Sequence, residues 1–276
     1  PECRWALRHR RVHGLHVVVL REEGDGEGWL ILAVDDRGGW HSARQEGVFD
    51  LCLSCKACAS ECPSNVDVAA LKSEFLYQYQ EENGYSFRNT MFANNVKYNK
   101  IGSLVPSLTN LVLNTYLTKF IMGISQKRSV PKLTPKTLKS WYKKQTHSSS
   151  KKIVYVFCDE FTNFYDTEIG IDTITVLKRL GYNPTFVKHQ ESGRSFISKG
   201  FLKEAKAIAN KNVSIFKEII SEETPLIGIE PSAILTFKDE YIRLADDKNS
   251  AAKISKHTFT TEEFLQREFD RGNIKS

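Results

Sequence analysis

The stretch Cys52-Leu-Ser-Cys55-Lys-Ala-Cys58-Ala-Ser-Glu-Cys62-Pro63 spaces four cysteines as C-x2-C-x2-C-x3-C and ends on a proline. This is the spacing of bacterial-type [4Fe-4S] ligation, in which a tight loop aims three thiolates at the cluster and a following helix carries the fourth away. The motif therefore predicts four cluster ligands: Cys52, Cys55, Cys58 and Cys62. A disulfide framework is disfavoured, because such domains are usually short and cysteine-dense, and this chain has only Cys3 and Cys158 besides.

The composition favours a folded protein of two domains in a reducing compartment. The chain has 276 residues and 41% hydrophobic residues, enough for a sizeable core. Four of the six cysteines fall in one motif, and no signal-peptide pattern is visible in the sequence. No apolar run is long enough to cross a bilayer. We therefore expect a cytoplasmic protein, and the net charge of +6 leaves peripheral attachment to the inner face of a membrane open.

Residues 1–45 differ in composition from the rest of the chain. Residues 1–50 contain seven arginines and no lysine or asparagine, whereas the following residues are rich in lysine. One interpretation is a separate module in which His16–Leu20 and Trp29–Val34 pair as strands. The other is a reading-frame shift upstream of the cysteine motif. The histidines of this segment have no ligand-like spacing.

A helix is predicted directly after the cysteine motif. Ser64 or Asn65 is placed to cap its first turn. Apolar residues then recur at helical spacing, and Asn83-Gly84 supplies the stop signal. The apolar positions are Val68, Leu71, Phe75 and Tyr79.

From Val96 to Lys152 the chain has twelve Lys or Arg residues and no Asp or Glu. Residues 104–122 carry an apolar helical face after Pro106, formed by Leu108, Leu111, Leu117 and Phe120. Residues 130–150 are rich in Lys, Pro, Thr and Ser and are typical of a linker. Two interpretations stay open: a core helix followed by a solvated linker, or a surface for anionic lipid or an acidic partner. Nucleic acid is not expected as a partner, because no recognised motif accompanies the charge.

The last part of the chain predicts an α/β unit. Strands are expected at Lys151–Phe157, Pro184–Val187 and Leu226–Ile229, and helices at Ile171–Leu180 and Phe201–Ile220. This strand–helix alternation indicates a parallel sheet of three or more strands with right-handed crossovers.

Three loops leave the carboxyl ends of these strands, where ligands of such sheets gather. They begin at Cys158, His189 and Glu230, and we expect them to converge. The candidate loop site comprises Glu191, Ser192, Gly193, Arg194 and Glu230. An alternative is that Arg194 and Glu230 form an ion pair that only ties loops together, and Cys158 is expected to be a small buried residue.

Three segments together, Cys52–Pro63, Glu191–Gly200 and Glu230–Tyr241, resemble the iron–sulfur part of FAD-linked 2-hydroxyacid dehydrogenases of the D-lactate dehydrogenase type. They are similar also to the iron–sulfur subunits of glycolate oxidase and anaerobic glycerol-3-phosphate dehydrogenase. The resemblance covers residues 47 to about 270. It implies a helical two-cluster ferredoxin module followed by one half of a duplicated cysteine-rich α/β domain. It also implies a flavin-containing domain or subunit as partner, and electron relay from FAD to a quinone or other acceptor at a membrane.

The chain departs from that family in several places. The earlier cysteine group is missing, which favours the reading-frame shift, and Ser192 and Ala233 stand where the family often has cysteine. The resemblance assigns Cys52, Cys55 and Cys58 to one cluster and Cys62 to another. Their remaining ligands are expected before residue 46, where only Cys3 stands, so we expect labile or substoichiometric iron.

The sequence thus predicts an α plus α/β protein in four segments, and we expect it to be a fragment of a larger polypeptide without a complete active site. The segments are residues 1–45 (atypical), 46–129 (helical 4Fe-4S ferredoxin type), 130–150 (basic linker) and 151–276 (degenerate cysteine-rich α/β domain). Two alternatives remain for its function. One is a glycerol-3-phosphate dehydrogenase-type subunit, and the other is a degenerate cluster protein that serves as a subunit-interaction module.

Overall fold

The computed structural model describes residues 5–12, 15–22, 29–34, 49, 52–61, 66–145 and 150–274. The chain divides into two compact units, and each is described by itself. The first unit comprises Pro1–Thr90 and Ile197–Leu202, and the second comprises Met91–Phe196 and Lys203–Ser276. The division into four segments stays a prediction. No helix among the described residues is long and apolar enough to cross a membrane.

The first unit begins with three antiparallel strands. They are β1 (Trp5–Val12), β2 (Leu15–Glu22) and β3 (Trp29–Val34), in the order β1-β2-β3. The predicted pairing between residues 16–20 and 29–34 is present, with His16 opposite Val34. The reading-frame shift is a statement about the gene and stays a prediction.

Helix α1 (Ala57–Glu61) lies within the cysteine motif, α2 (Val68–Asn83) follows the motif, and α3 (Phe87–Ala93) comes next. The prediction that Ser64 or Asn65 caps α2 is wrong. The cap is Asp67, whose side chain accepts a hydrogen bond from the backbone N–H of Ala70 at 2.9 Å, because the helix begins only at Val68. The predicted stop is confirmed, since Gly84 has φ 86° and donates its N–H to the carbonyl of Gln80.

In the second unit, residues 104–122 do not form one core helix as one interpretation held. They form α5 (Pro106–Leu113) and α6 (Tyr116–Ile121), which follow α4 (Asn95–Gly102). The break comes where Thr115 caps the new helix by accepting from the N–H of Thr118. The four predicted core side chains are all exposed: Leu108, Leu111, Leu117 and Phe120.

The expected linker contains a packed helix, α7 (Leu138–Tyr142). Thr137 caps it, and Leu138 and Tyr142 are buried one turn apart on the same face. The Tyr142 hydroxyl donates to the carbonyl oxygen of Pro184 at 2.8 Å. This part of the segment therefore belongs to the packed unit rather than to a solvated spacer.

The predicted parallel sheet is confirmed. Its strands are β4 (Ile153–Phe157), β5 (Asn183–Thr185), β6 (Leu226–Gly228) and β7 (Thr258–Thr260), in the order β5-β4-β6-β7. All three pairings are parallel, and β7 was not predicted. The helices of this region are α8 (Glu160–Phe164), α9 (Thr167–Arg179), α10 (Arg194–Ser198), α11 (Leu202–Phe216), α12 (Pro231–Ile234), α13 (Glu240–Leu244), α14 (Lys248–Lys256) and α15 (Thr261–Asp270).

An aromatic group forms the centre of the core beside the sheet. Phe157, at the carboxyl end of β4, lies 5.0 Å from the ring of Phe237, centroid to centroid, and 6.4 Å from that of Phe216. The ring of Tyr241 is tilted against that of Phe237, and the two centroids lie 4.4 Å apart. Burial of large aromatic surfaces is strongly stabilising, so this core fixes the strand end from which the loops depart.

Candidate functional site

The cysteine loop has a tightly curled backbone. Ser54 and Lys56 have φ values of 56° and 61°, in the left-handed region that residues other than glycine rarely adopt. Cys52 and Cys58 are partly buried, Cys55 is exposed, and none of the three forms a disulfide. The fourth predicted ligand, Cys62, lies outside the described residues.

Two backbone donors point at sulfur in this loop. The N–H of Ser54 donates to Cys52 Sγ, and the N–H of Val68 at the start of α2 donates to Cys58 Sγ, both at 3.4 Å. The ammonium of Lys72 donates to the carbonyl oxygen of Cys52 at 2.8 Å and closes the loop onto α2. Hydrogen bonds to sulfur tune the potential of an iron–sulfur centre.

The donor chemistry of the loop fits an iron–sulfur group, but its geometry does not yet form a metal site. Within the part of the chain that the structure describes, no three His, Cys, Asp or Glu side chains are placed to hold a metal ion. That part includes Cys52, Cys55 and Cys58, so these sulfurs would have to converge to ligate a cluster.

A second group of polar side chains lies at the carboxyl ends of β4 and β5 in the second unit. We call it the loop cluster, and its members are Cys158, Asp159, Glu160, His189, Glu191, Ser192, Arg194, Asn212, Glu240 and Tyr241. Glu160 joins the first two predicted loops, because Ser192 donates its backbone N–H to one carboxylate oxygen at 3.0 Å and its hydroxyl to the other at 2.5 Å. The predicted convergence of these two loops is confirmed.

The third predicted loop does not supply the partner of Arg194. The Arg194 guanidinium pairs with Glu240 at 2.5 Å, and both side chains are largely buried. Glu230 instead caps α12, where its carboxylate accepts from the backbone N–H of Ser232 at 3.1 Å. The alternative of an Arg194–Glu230 pair is therefore wrong, because Glu230 instead uses its carboxylate to cap the helix. Gly193 has φ 75°, as a tight turn requires.

Three residues of the loop cluster lie outside the predicted loops: Asn212, Glu240 and Tyr241. Asn212 is fully buried, accepts the N–H of Gln190 at 2.9 Å, and donates to the carbonyl of Glu191 and to the hydroxyl of Tyr241. Tyr241 in turn donates to the carbonyl of Ser192 at 3.0 Å. Asn212 and Tyr241 therefore hold the backbone of residues 190–192 in place. A polar residue on the buried face of α11 was the only local signal for Asn212.

Burial governs the protonation of the loop cluster. Burial raises the pKa of Asp159 to about 7, and burial together with the nearby Glu160 raises the pKa of Glu191 to about 7. Burial also raises the pKa of Glu160, although the bonds from Ser192 oppose the shift. Burial lowers the pKa of His189 to about 3, and its Nε2 accepts the backbone N–H of Cys158. The cluster thus holds carboxyl groups that exchange protons near neutral pH and a histidine that stays uncharged.

Cys158 is placed as the sequence predicted, as a small buried residue with 2% exposure. Burial raises the pKa of its thiol to about 12. The thiolate is the nucleophile and metal ligand, so Cys158 acts here as a packing residue.

The raised pKa of the Glu191 carboxyl predicts how the stability of the fold depends on pH. This carboxyl ionises near pH 4.5 in the unfolded chain and near 7 in the folded one, so stability falls as pH rises through that window. Glu191→Gln removes this dependence. The free energy of unfolding of the variant minus that of the wild type is expected to rise by about 2 kcal/mol between pH 4.5 and 7.5, as measured by urea unfolding.

The matched control is Glu223→Gln. The Glu223 carboxylate is exposed, and its pKa lies below the usual value because its own backbone N–H and the Ser221 hydroxyl donate to it. This variant therefore lacks the upward trend. A Glu191→Gln difference that does not change with pH would contradict the assignment.

Comparison with known proteins places the chain near one named group of enzymes. It is 28% identical over 206 residues to a D-2-hydroxyglutarate dehydrogenase from Pantoea ananatis. The aligned stretch covers 69% of this chain and 20% of that protein. It is 24% identical over 257 residues to one from Haemophilus influenzae (87% of this chain, 24% of that protein). A third, from Escherichia coli, is 25% identical over 231 residues (74% and 22%).

No protein-family model and no solved structure matches the chain. The chain spans about a fifth to a quarter of the length of these relatives. The chain is thus similar, at low identity and over a limited part of their length, to D-2-hydroxyglutarate dehydrogenases.

Proposed function

We propose that this chain is the iron–sulfur electron-transfer part of an FAD-linked dehydrogenase of 2-hydroxy acids. The observation that carries the proposal is the curled cysteine loop, with two backbone N–H groups directed at Cys52 and Cys58 sulfurs. The similarity to proteins named D-2-hydroxyglutarate dehydrogenase supports the oxidoreductase class and the substrate class.

The proposed ligands are the motif cysteines Cys52, Cys55, Cys58 and Cys62. When bound, a [4Fe-4S] cluster supplies one-electron transfer between a flavin and an acceptor such as a quinone. The chain contributes the thiolates, the N–H donors of Ser54 and Val68, and the loop closure by Lys72. The FAD itself is assigned to a separate flavin-containing domain or subunit, the proposed partner of this chain.

The loop cluster favours a second candidate role, an interaction module without iron in the α/β part. Ser192 has its hydroxyl hydrogen-bonded to Glu160, and Ala233 is fully buried in the core. Neither side chain is a thiolate donor, and their surroundings are already satisfied by packing and hydrogen bonds. This part of the chain therefore offers no thiolate for a second metal group at positions 192 and 233, as an interaction module without iron requires.

Anaerobic reconstitution of the full chain with iron and sulfide tests the proposal. We expect the broad visible absorbance of an iron–sulfur cluster and an EPR signal after reduction, with less iron than two full clusters contain. Cys55→Ser is expected to abolish most of both signals. Cys158→Ala is the matched control, because Cys158 stands outside the motif and is buried as a packing residue, and it is expected to leave the signals unchanged.

The outcomes separate the two candidate roles. Absence of both signals in the wild-type chain removes the electron-transfer role and leaves the interaction module. A stable iron content equal to two complete clusters would contradict the expectation that ligands are missing. Equal losses in Cys55→Ser and Cys158→Ala would show that the signals do not depend on the motif.

A further inference from the structure

Residues 104–121 present large apolar side chains to the outside of the second unit. Tyr116 is 71% exposed, Phe120 70% and Leu111 68%, values usual for charged surface residues. The exposed apolar side chains of this segment are Leu104, Val105, Leu108, Leu111, Val112, Tyr116, Leu117, Phe120 and Ile121. We call this surface the apolar face. Contiguous exposed patches of this kind mark interaction sites.

The same segment turns its polar side chains inward. Asn110 donates to the carbonyl of Leu133 and accepts its N–H, at 2.9 and 2.8 Å. Asn114 accepts the N–H of Val130 at 3.1 Å. Lys119 is 8% exposed on the helix whose Phe120 and Ile121 point outward. Two short helices are thus anchored by polar groups and expose apolar ones, the reverse of a helix that faces water.

The charged side chains of the sequence around the apolar face are of one sign only. No Asp or Glu occurs from residue 83 to residue 158. Exposed cations flank the apolar face in sequence on both sides, Lys97 and Lys100 before it and Lys127, Arg128 and Lys132 after it. A segment that joins exposed apolar side chains with cations and carries no acidic residue of its own is complementary to anionic headgroups lying over hydrocarbon. Protein interfaces usually carry a rim of mixed polar groups instead.

We propose that the apolar face binds the surface of an anionic phospholipid bilayer, with α5 and α6 lying in the headgroup region. Helices of eight and six residues insert their apolar sides from the plane of the interface rather than across the bilayer. Tyr116 and Phe120, stacked with ring centroids 6.5 Å apart, occupy the depth at which aromatic side chains gather. The flanking lysines and arginine contact the phosphates. This inference is independent of the proposed electron-transfer role.

Co-sedimentation of the purified chain with lipid vesicles tests the inference. We expect binding to vesicles of phosphatidylcholine and phosphatidylglycerol, weakening as salt is added, and at least tenfold weaker binding to phosphatidylcholine alone. The double variant Leu117→Glu/Phe120→Glu is expected to bind the anionic vesicles at least about tenfold more weakly than the wild type. Both side chains are exposed, and far-ultraviolet circular dichroism checks that the variant is folded.

The matched control is Ile169→Glu/Val176→Glu, which introduces the same two negative charges at exposed apolar residues of α9, 56% and 44% exposed. It is expected to bind vesicles within about twofold of the wild type. Absence of wild-type binding to anionic vesicles overturns the inference. Equal losses in the control and the double variant also overturn it. So does a wild-type dimer in solution that the double variant dissociates, because a second copy of the chain would then cover the apolar face.

Discussion

Replacing Gly228 by alanine is expected to lower the free energy of unfolding by about 3 kcal/mol or more. A Cβ atom at this position would lie 2.3 Å from the Cβ of Ile234 and 2.6 Å from its Cγ1. Ile234 is fully buried, and Gly228 pairs with Phe157 and Thr260 in the centre of the sheet. Neither backbone can move without disturbing the sheet, so the strain stays. Urea unfolding followed by circular dichroism measures the effect.

Gly181→Ala serves as the comparison for this glycine. Gly181 has φ 86°, but a Cβ there would meet no atom within 4 Å. Its substitution therefore reports backbone strain without overpacking and is expected to cost about 1 kcal/mol. If the two variants lose the same stability, close packing of α12 against β6 is not the reason for glycine at position 228.

The second large effect is expected at the bond between Ser192 and Glu160. Ser192→Ala removes the hydroxyl that donates to the buried carboxylate, and Glu160→Met leaves that hydroxyl without its acceptor. Each single change is expected to destabilise the fold by about 2 kcal/mol. The double variant is expected to lose less than the sum of the two single losses, because both single changes break the same hydroxyl–carboxylate bond. Urea unfolding of all four proteins gives the coupling energy.

The exposed pair Lys206–Asp246, with an N–O distance of 2.7 Å, provides the reference cycle. Ion pairs at the surface contribute little because water and salt screen them, so the coupling energy of Lys206 and Asp246 is expected to be smaller than that of Ser192 and Glu160. Additive losses in the Ser192–Glu160 cycle would contradict the idea of a coupled buried pair. A double variant as stable as the wild type would indicate that the pair is retained for function rather than for stability.

The parallel sheet was predictable because its signals are local. Ile153–Phe157 is a short apolar run followed by a residue pattern of helical period, and Gly181 ends the next helix. The strand Thr258–Thr260 carried no such signal. It has three residues of mixed polarity, and its strand conformation comes from pairing with β6. Short strands of this kind depend on their neighbours more than on their own sequence.

The loop cluster and the apolar face show two limits of prediction from the sequence. The contact between Asn212 and Tyr241 joins residues from two helices, and no local pattern links them. The periodicity of residues 104–121 identified which side chains share a face, and the structure places that face outside. Periodicity predicts which apolar side chains share a face of a helix, but it does not predict what packs against that face. The pairing of Arg194 was mispredicted for a similar reason, because Glu230 and Glu240 are equally plausible partners in sequence.

The burial of Cys158 has a practical consequence for labelling the protein. Iodoacetamide and maleimide dyes react with exposed thiolates, and this thiol is both enclosed and protonated, with burial raising its pKa to about 12. A dye can therefore be attached to the exposed Cys55 without first mutating Cys158. Reaction of the Cys158 thiol with the dye therefore reports that the α/β core has opened. Dye attachment at Cys158, measured by fluorescence or mass spectrometry, can thus be used to follow opening of the core.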